Sequence, residues 1–134
     1  MNKILVVEDD SATAELIKYT LETKGMTVEI AGDGGEAIKR VRTNTPDLIV
    51  LDIMLPTMDG YQVCEIIKHN VLYEHLPIIM LSAKVRKEDI SMGIEKGADE
   101  YITKPFDPVY LLERVSFYLS KNPPSVQQAG KKGS

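Results

Sequence analysis

The sequence predicts an α/β fold, with a doubly wound five-stranded parallel sheet and five helices covering its two faces. Four short strand-like runs support this prediction, at residues 4–7, 48–51, 78–81 and 100–103. Short unbroken apolar runs are typical of strands buried on both faces of a parallel sheet. Segments with helical periodicity alternate with the strands through short connections, which favours right-handed doubly wound packing.

The first half of the chain predicts a helix at residues 11–24, a strand at 27–31, a loop at 32–35 and a helix at 36–42. Ser11 is a candidate cap for the first helix, although an acid from residues 8–10 could cap it instead, and Gly25 ends it. The expected inward-facing residues are Ala14, Ile17, Leu21, Val28, Ile30, Ala37, Ile38 and Val41.

The second half predicts helices at about residues 61–70, 87–96 and 108–120, with Val63, Ile66 and Ile67 buried by the first of them. Gly97 ends the second, and Asp107 followed by Pro108 opens the third. From residue 122 onward Pro, Ser, Gln, Gly and Lys predominate. We therefore expect a single domain at residues 1–121, followed by a disordered tail or the start of a linker at 122–134.

Composition limits the classes of function. A net charge of −4 and a sequence pI of about 5.2 argue against nucleic-acid binding by this domain itself. The single cysteine, Cys64, excludes an intrachain disulfide and is typical of a reducing compartment. No apolar stretch approaches the roughly 18–20 residues of a membrane span. These features predict a cytoplasmic protein without a membrane segment.

Polar residues follow the strand-like runs. The acids Glu8, Asp9 and Asp10 follow the first, Asp52 the second, and Ser82 and Lys104 the last two. Taken singly, each could be a helix cap, a turn residue or a surface charge. Ligand sites of parallel sheets lie beyond the carboxyl ends of the strands, so we expect these side chains to converge there.

Crowded carboxylates predict a metal ion at this edge. Like charges about 4 Å apart repel by ~4 kcal/mol at an effective dielectric of about 20. A hard divalent cation removes that cost, and Asp9, Asp52 and a loop carbonyl after Asp52 suit Mg²⁺. Lys104 would supply a positive charge beside it. Whether the Lys104–Pro105 peptide is cis remains open at the level of sequence.

Across residues 2–121 the sequence resembles the receiver domain of two-component response regulators, which has the CheY-like fold and sheet order 2-1-3-4-5. The motifs that carry the resemblance are Glu8-Asp9, residues 51–56 with Asp59-Gly60, and residues 81–83, 97–99 and 101–106. The roles that it implies are phosphoacceptor for Asp52, direct Mg²⁺ ligand for Asp9, ligand through water for Glu8, backbone carbonyl ligand for Met54, switch hydroxyl for Ser82, phosphoryl contact for Lys104 and aromatic switch for Tyr101.

The resemblance also implies partners. The phosphoryl donor would be a phosphohistidine on a sensor kinase or phosphotransfer protein, because His69 and His75 of this chain are predicted to be exposed loop residues away from the site. The product would be a signal, so the protein is expected to be a switch more than a turnover enzyme. Phosphorylation would draw the Ser82 hydroxyl inward and let Tyr101 rotate from an exposed to a buried position.

That rotation would alter the surface of the fourth helix, fifth strand and fifth helix, which an output domain or downstream protein could bind. Glu100 and Arg114 match positions that pair across the dimer in receivers of winged-helix transcription factors. Ile90 and Tyr110 depart from that charged pattern, although an apolar contact between them could replace it. Two alternatives stay open, namely a single-domain regulator and the receiver part of a longer transcription factor or other effector. A phosphorylation-dependent homodimer stays open as well.

Two other classes of protein share parts of this pattern. A flavodoxin-like cofactor binder would need a phosphate loop rich in Ser, Thr or Gly, where Glu8-Asp9-Asp10 would repel a phosphate. A haloacid-dehalogenase-like phosphatase typically carries a second Asp two residues after its nucleophile, and Met54 occupies that position. Both alternatives are disfavoured.

Overall fold

A computed structural model describes residues 2–121, and the predicted tail at 122–134 lies outside the described residues. Five strands alternate with five helices along this part of the chain. The elements are β1 (Lys3–Val7), α1 (Ser11–Glu22), β2 (Thr27–Ala31), α2 (Gly34–Thr43), β3 (Leu48–Leu51), α3 (Gly60–Lys68), β4 (Ile78–Ser82), α4 (Lys87–Glu95), β5 (Glu100–Thr103) and α5 (Pro108–Lys121).

The strands form one parallel sheet in the order β2-β1-β3-β4-β5, as predicted. Because side chains alternate along each strand, the sheet builds a core on each face. Leu5 and Val7 pack with residues of α2 and α3, whereas Ile4 and Val6 pack with residues of α1 and α5. The inner strands β1, β3 and β4 are largely apolar without alternation because both of their faces are covered, whereas the outer strands β2 and β5 carry polar residues.

The first helix is capped by a different residue from the one that the sequence predicts. The Asp10 carboxylate accepts a hydrogen bond of 3.0 Å from the Thr13 N–H, so Asp10 is the cap and Ser11 is the first helical residue. The assignment of Ser11 as cap was wrong, and the alternative of an acidic cap is confirmed. The helix ends at Glu22, before Gly25, which has a φ of 81° that favours glycine.

Two other expectations need correction. α2 begins at Gly34, inside the predicted loop, because Asp33 caps it by accepting from the Glu36 N–H at 2.8 Å. Ile66 is 43% exposed, whereas it was expected to be buried. Val63, Cys64 and Ile67 already fill the inner face of α3, and the helical period places Ile66 at the margin of that face.

The remaining elements match the predictions within a few residues at their ends. The Lys104–Pro105 peptide is cis. Cys64 is fully buried, and burial raises the pKa of its thiol to about 12. None of the helices within residues 2–121 combines the length and apolarity needed to span a membrane.

Candidate phosphoryl-transfer site

The parallel register brings the ends of the strands to one edge of the sheet. Val7 pairs with Leu51 between β1 and β3, and the Asp52 N–H donates to the Val7 carbonyl at 3.0 Å. On the other side of the site the Lys104 N–H donates to the Ser82 carbonyl at 2.8 Å. These backbone bonds fix the positions from which the polar side chains extend.

Three carboxylates converge at this edge. Glu8, Asp9 and Asp52 each offer an oxygen, and these oxygens lie within 4.8 Å of one another. Glu8 and Asp52 are only 4% and 5% exposed, whereas Asp9 is exposed. The convergence expected from the sequence is therefore present, with two of the acids largely removed from water.

Lys104 bridges the two buried acids. Its Nζ lies 2.8 Å from Glu8 Oε1 and 3.3 Å from Asp52 Oδ2. Burial lowers the pKa of Lys104, but the hydrogen bond to Glu8 and the charges of Asp52 and Glu8 outweigh it, so the net pKa is raised. The side chain is thus held as an ammonium beside Asp52.

The single positive charge of Lys104 does not balance the negative charge of the three carboxylates. Burial raises the pKa of Glu8, the hydrogen bond from Lys104 opposes that rise, and the charge of Asp52 adds to it. Within residues 2–121 the Asp9 carboxylate has no hydrogen bond or ion pair. An all-oxygen set with surplus negative charge and a free outer carboxylate fits a hard divalent cation. The cluster is consistent with a metal site.

The loop after Asp52 is fixed against the same carboxylate. The Met54 N–H donates to Asp52 Oδ1 at 3.1 Å, while the Met54 side chain is 56% exposed. The Gly60 N–H donates to the Ile53 carbonyl at 2.8 Å and starts α3 there. A Cβ at Gly60 would lie 2.4 Å from the Asp52 carbonyl oxygen, so only glycine fits.

The hydroxyl groups of Ser82 and Tyr101 contact the backbone of the same residue, Lys84, in the β4–α4 loop. Ser82 is fully buried, and its Oγ accepts from the Lys84 N–H at 3.3 Å. The Tyr101 hydroxyl donates to the Lys84 carbonyl at 2.6 Å, with its ring half-buried. Burial is the main cause that raises the pKa of Tyr101 to about 12. The rotation of Tyr101 stays a prediction.

Sequence reasoning missed Tyr61, whose hydroxyl donates to the Asp89 carbonyl at 3.0 Å. Its position directly after the Asp59-Gly60 motif was the available signal. His69 and His75 are exposed, as expected. Both lie between α3 and β4, near the amino ends of the strands, whereas Asp52 lies at the carboxyl ends.

On the surface formed by α4, β5 and α5, Glu100 pairs within the chain. Arg114 Nε lies 2.8 Å from Glu100 Oε1, and the hydroxyls of Tyr110 and Tyr118 also donate to Glu100. A dimer that used Glu100 and Arg114 would have to share or exchange this pair. Ile90 is half-buried, and Tyr110 is 45% exposed.

Residues 4–116 match the response regulator receiver domain family. The chain belongs to this family. Receiver domains are phosphoacceptor switches rather than turnover enzymes. Membership decides against the flavodoxin-like and dehalogenase-like alternatives.

Known proteins resemble the chain over most of its length. It is 46% identical over 120 residues to the alkaline phosphatase synthesis transcriptional regulatory protein PhoP of Bacillus subtilis, covering 90% of this chain and 49% of PhoP. It is 42% identical over 120 residues to the DNA-binding response regulator MtrA of Mycobacterium tuberculosis, covering 90% of this chain and 51% of MtrA. The chain spans about half the length of these curated relatives.

Among solved structures, the receiver domain of the Francisella response regulator 1452 aligns with a TM-score of 0.85 and 36% identity. The alignment covers 90% of this chain and 98% of that receiver. The similarity therefore includes nearly all of that receiver domain.

Proposed function

We propose that this chain is a phosphoacceptor switch in which Asp52 receives a phosphoryl group in an Mg²⁺-dependent reaction. The donor is a phosphohistidine on a sensor kinase or phosphotransfer protein. The observation that carries the proposal is the Asp52 carboxylate, buried among Glu8, Asp9 and Lys104 at the carboxyl edge of the sheet. This arrangement supports a nucleophile beside groups that can balance phosphoryl charge.

In the proposed transfer, an Asp52 oxygen forms a bond to phosphorus while the bond from phosphorus to the donor imidazole nitrogen breaks. The electron pair of that bond stays with the imidazole, and Asp52 becomes an acyl phosphate. Lys104 and the Ser82 hydroxyl donate to the phosphoryl oxygens. Asp9, Asp52, the Met54 carbonyl and, through water, Glu8 would hold Mg²⁺, which when bound supplies positive charge to those oxygens.

The proposed output signal depends on the hydroxyl groups of Ser82 and Tyr101. Donation by Ser82 to a phosphoryl oxygen favours the inward position of Tyr101, and the surface of α4, β5 and α5 changes with it. That surface is the proposed contact for an output domain, a downstream protein or a second copy of the chain. The names of the relatives support a DNA-binding output in the whole protein. Family membership supports a cytoplasmic location.

The test is incubation with acetyl phosphate and Mg²⁺, followed by mass spectrometry of the intact protein and of its peptides. We expect a gain of one phosphoryl group, located at Asp52 and absent in excess chelator. Steady release of phosphate without a stable adduct, or an adduct on another residue, would overturn the proposal.

Replacing Lys104 by Ala should keep metal binding but remove most of the conformational response. Protonated Lys104 cannot bind Mg²⁺, yet it is the ammonium that contacts Asp52. NMR during addition of Mg²⁺, and then of beryllofluoride as a phosphoryl mimic, measures the two steps separately. A response of the α4 and β5 amides equal to that of wild type would contradict this role.

Replacing Asp9 by Asn should remove much of the stabilisation by Mg²⁺. A ligand that binds the native state stabilises it by RT ln(1 + [L]/Kd), and loss of a direct carboxylate ligand raises Kd. Urea unfolding with chelator and with excess Mg²⁺ measures this difference. Glu15→Gln, an exposed change of the same charge on α1, is the matched control and should respond like wild type. An equal Mg²⁺ response in Asp9→Asn would exclude Asp9 as a ligand.

A further inference from the structure

Tyr61 joins two helices beside the site. It is the second residue of α3, and its hydroxyl donates to the carbonyl of Asp89 in the first turn of α4. The N–H of the preceding residue, Gly60, donates a hydrogen bond to the carbonyl of Ile53, the residue directly after Asp52. The backbone of Tyr61 is therefore positioned by the loop that follows Asp52, while its hydroxyl contacts α4.

Tyr61 and Tyr101 pack against the same buried apolar cluster. A Cβ at Gly93 would lie 2.9 Å from the Tyr101 ring, so α4 closes tightly over that ring. The hydrogen bond from Tyr61 to Asp89 therefore acts on the helix that covers the Tyr101 ring.

We propose that Tyr61 is a positioning residue that holds α4 over the inward-facing Tyr101 and so strengthens the response to phosphorylation of Asp52. This inference rests on the proposed function. A Phe at position 61 would release the first turn of α4 from α3. A helix held less firmly over the Tyr101 ring disfavours the inward position of Tyr101 that the phosphorylated state uses.

Tyr61→Phe is a mild change, because the Asp89 carbonyl lies within α4, where the helical hydrogen-bond pattern also supplies a donor. Titration with beryllofluoride in excess Mg²⁺, followed by NMR, compares wild type with Tyr61→Phe, Tyr101→Phe and the double variant. We expect affinity to fall about two- to tenfold in Tyr61→Phe, the range that one net hydrogen bond gives. The double variant should lose less than the product of the two single losses.

Tyr19→Phe is the matched control, since Tyr19 is 72% exposed on α1, and its affinity should equal that of wild type. Unchanged or tighter beryllofluoride binding by Tyr61→Phe would overturn the inference, even if its unfolding free energy fell. The inference would also be overturned if the affinity losses of the two single variants multiplied in the double variant. Tyr61 acts through Tyr101 in this proposal, so the two losses should not be independent.

A second measurement needs neither metal nor mimic. Fluorine NMR of protein labelled with 3-fluorotyrosine, with Tyr101 assigned from Tyr101→Phe, reports the environment of that ring directly. In Tyr61→Phe we expect the Tyr101 resonance to move toward the shift of exposed Tyr19. A stationary resonance would overturn the role of Tyr61. Failure of wild type to bind beryllofluoride would instead overturn the proposed function.

Discussion

Asp52→Asn should abolish phosphoryl uptake from acetyl phosphate while leaving a folded protein. The amide keeps the volume of the carboxylate, and its oxygen can still accept the hydrogen bond from the Met54 N–H that Asp52 accepts at 3.1 Å. It removes the nucleophile. Of the other nearby acids, Glu8 is paired with Lys104, and Asp9 would bind Mg²⁺. Intact-protein mass spectrometry measures the loss.

The same variant should be more stable than wild type in excess chelator, by about 1 kcal/mol. Asp52 raises the pKa of Glu8, and Lys104 would keep its 2.8 Å pair with Glu8 after the substitution. The lost contact of 3.3 Å between Lys104 and Asp52 opposes this gain, but Lys104 is partly exposed and the contact is screened. Relief of repulsion between two buried acids is the larger effect.

The gain in stability of Asp52→Asn over wild type should depend on pH. The folded-state pKa of Glu8 is raised above its usual value of 4.5, so the unfolded chain ionises Glu8 first. Stability therefore falls as pH rises from the unfolded to the folded pKa of Glu8, and the full cost is present at neutral pH. Because Asp52 contributes to that cost, the advantage of Asp52→Asn should be larger at pH 7 than at pH 4.

Urea unfolding in chelator at the two pH values measures these differences, with Glu15→Gln as a control for a change of net charge alone. A variant less stable than wild type at pH 7 would show that the carboxylates do not repel as argued. Phosphoryl uptake by Asp52→Asn at the wild-type level would independently remove Asp52 from its proposed role.

Gly60→Ala should cost more than about 2 kcal/mol of unfolding free energy. The added Cβ would lie 2.4 Å from the Asp52 carbonyl oxygen and 2.7 Å from the Ile53 Cα, and both are backbone atoms that cannot rotate away. The start of α3 or the end of β3 must then move. We also expect slower phosphorylation, because that movement displaces Asp52 itself.

Gly35→Ala is the matched control on α2. A Cβ there would meet only an Asp33 carboxylate oxygen, at 3.5 Å, and alanine favours the helix by about 0.5–1 kcal/mol. Urea unfolding should place this variant at or above wild type. Similar losses in the two variants would mean that the close contact at Gly60 does not determine the cost.

The sequence by itself determined the fold class and the set of residues at the site. Asp52 ends an apolar run, and a parallel sheet requires such ends to share one edge, so the convergence of Glu8, Asp9 and Asp52 was predictable from local pattern. Strand periodicity does not depend on distant partners. Helix ends were less certain, since Asp10 and Ser11 are adjacent and both are good caps.

Only the tertiary structure decided the contacts between segments far apart in the chain. The pair between Lys104 and Glu8 joins residues 96 positions apart, and the bond from Tyr61 to Asp89 joins residues 28 positions apart. The exposure of Ile66 depends on how α3 turns against the sheet, and the need for glycine at position 60 depends on the path of the Asp52 backbone. These features follow from packing in three dimensions. Local sequence pattern places side chains at one edge of the sheet, but it does not specify which of their atoms make contact.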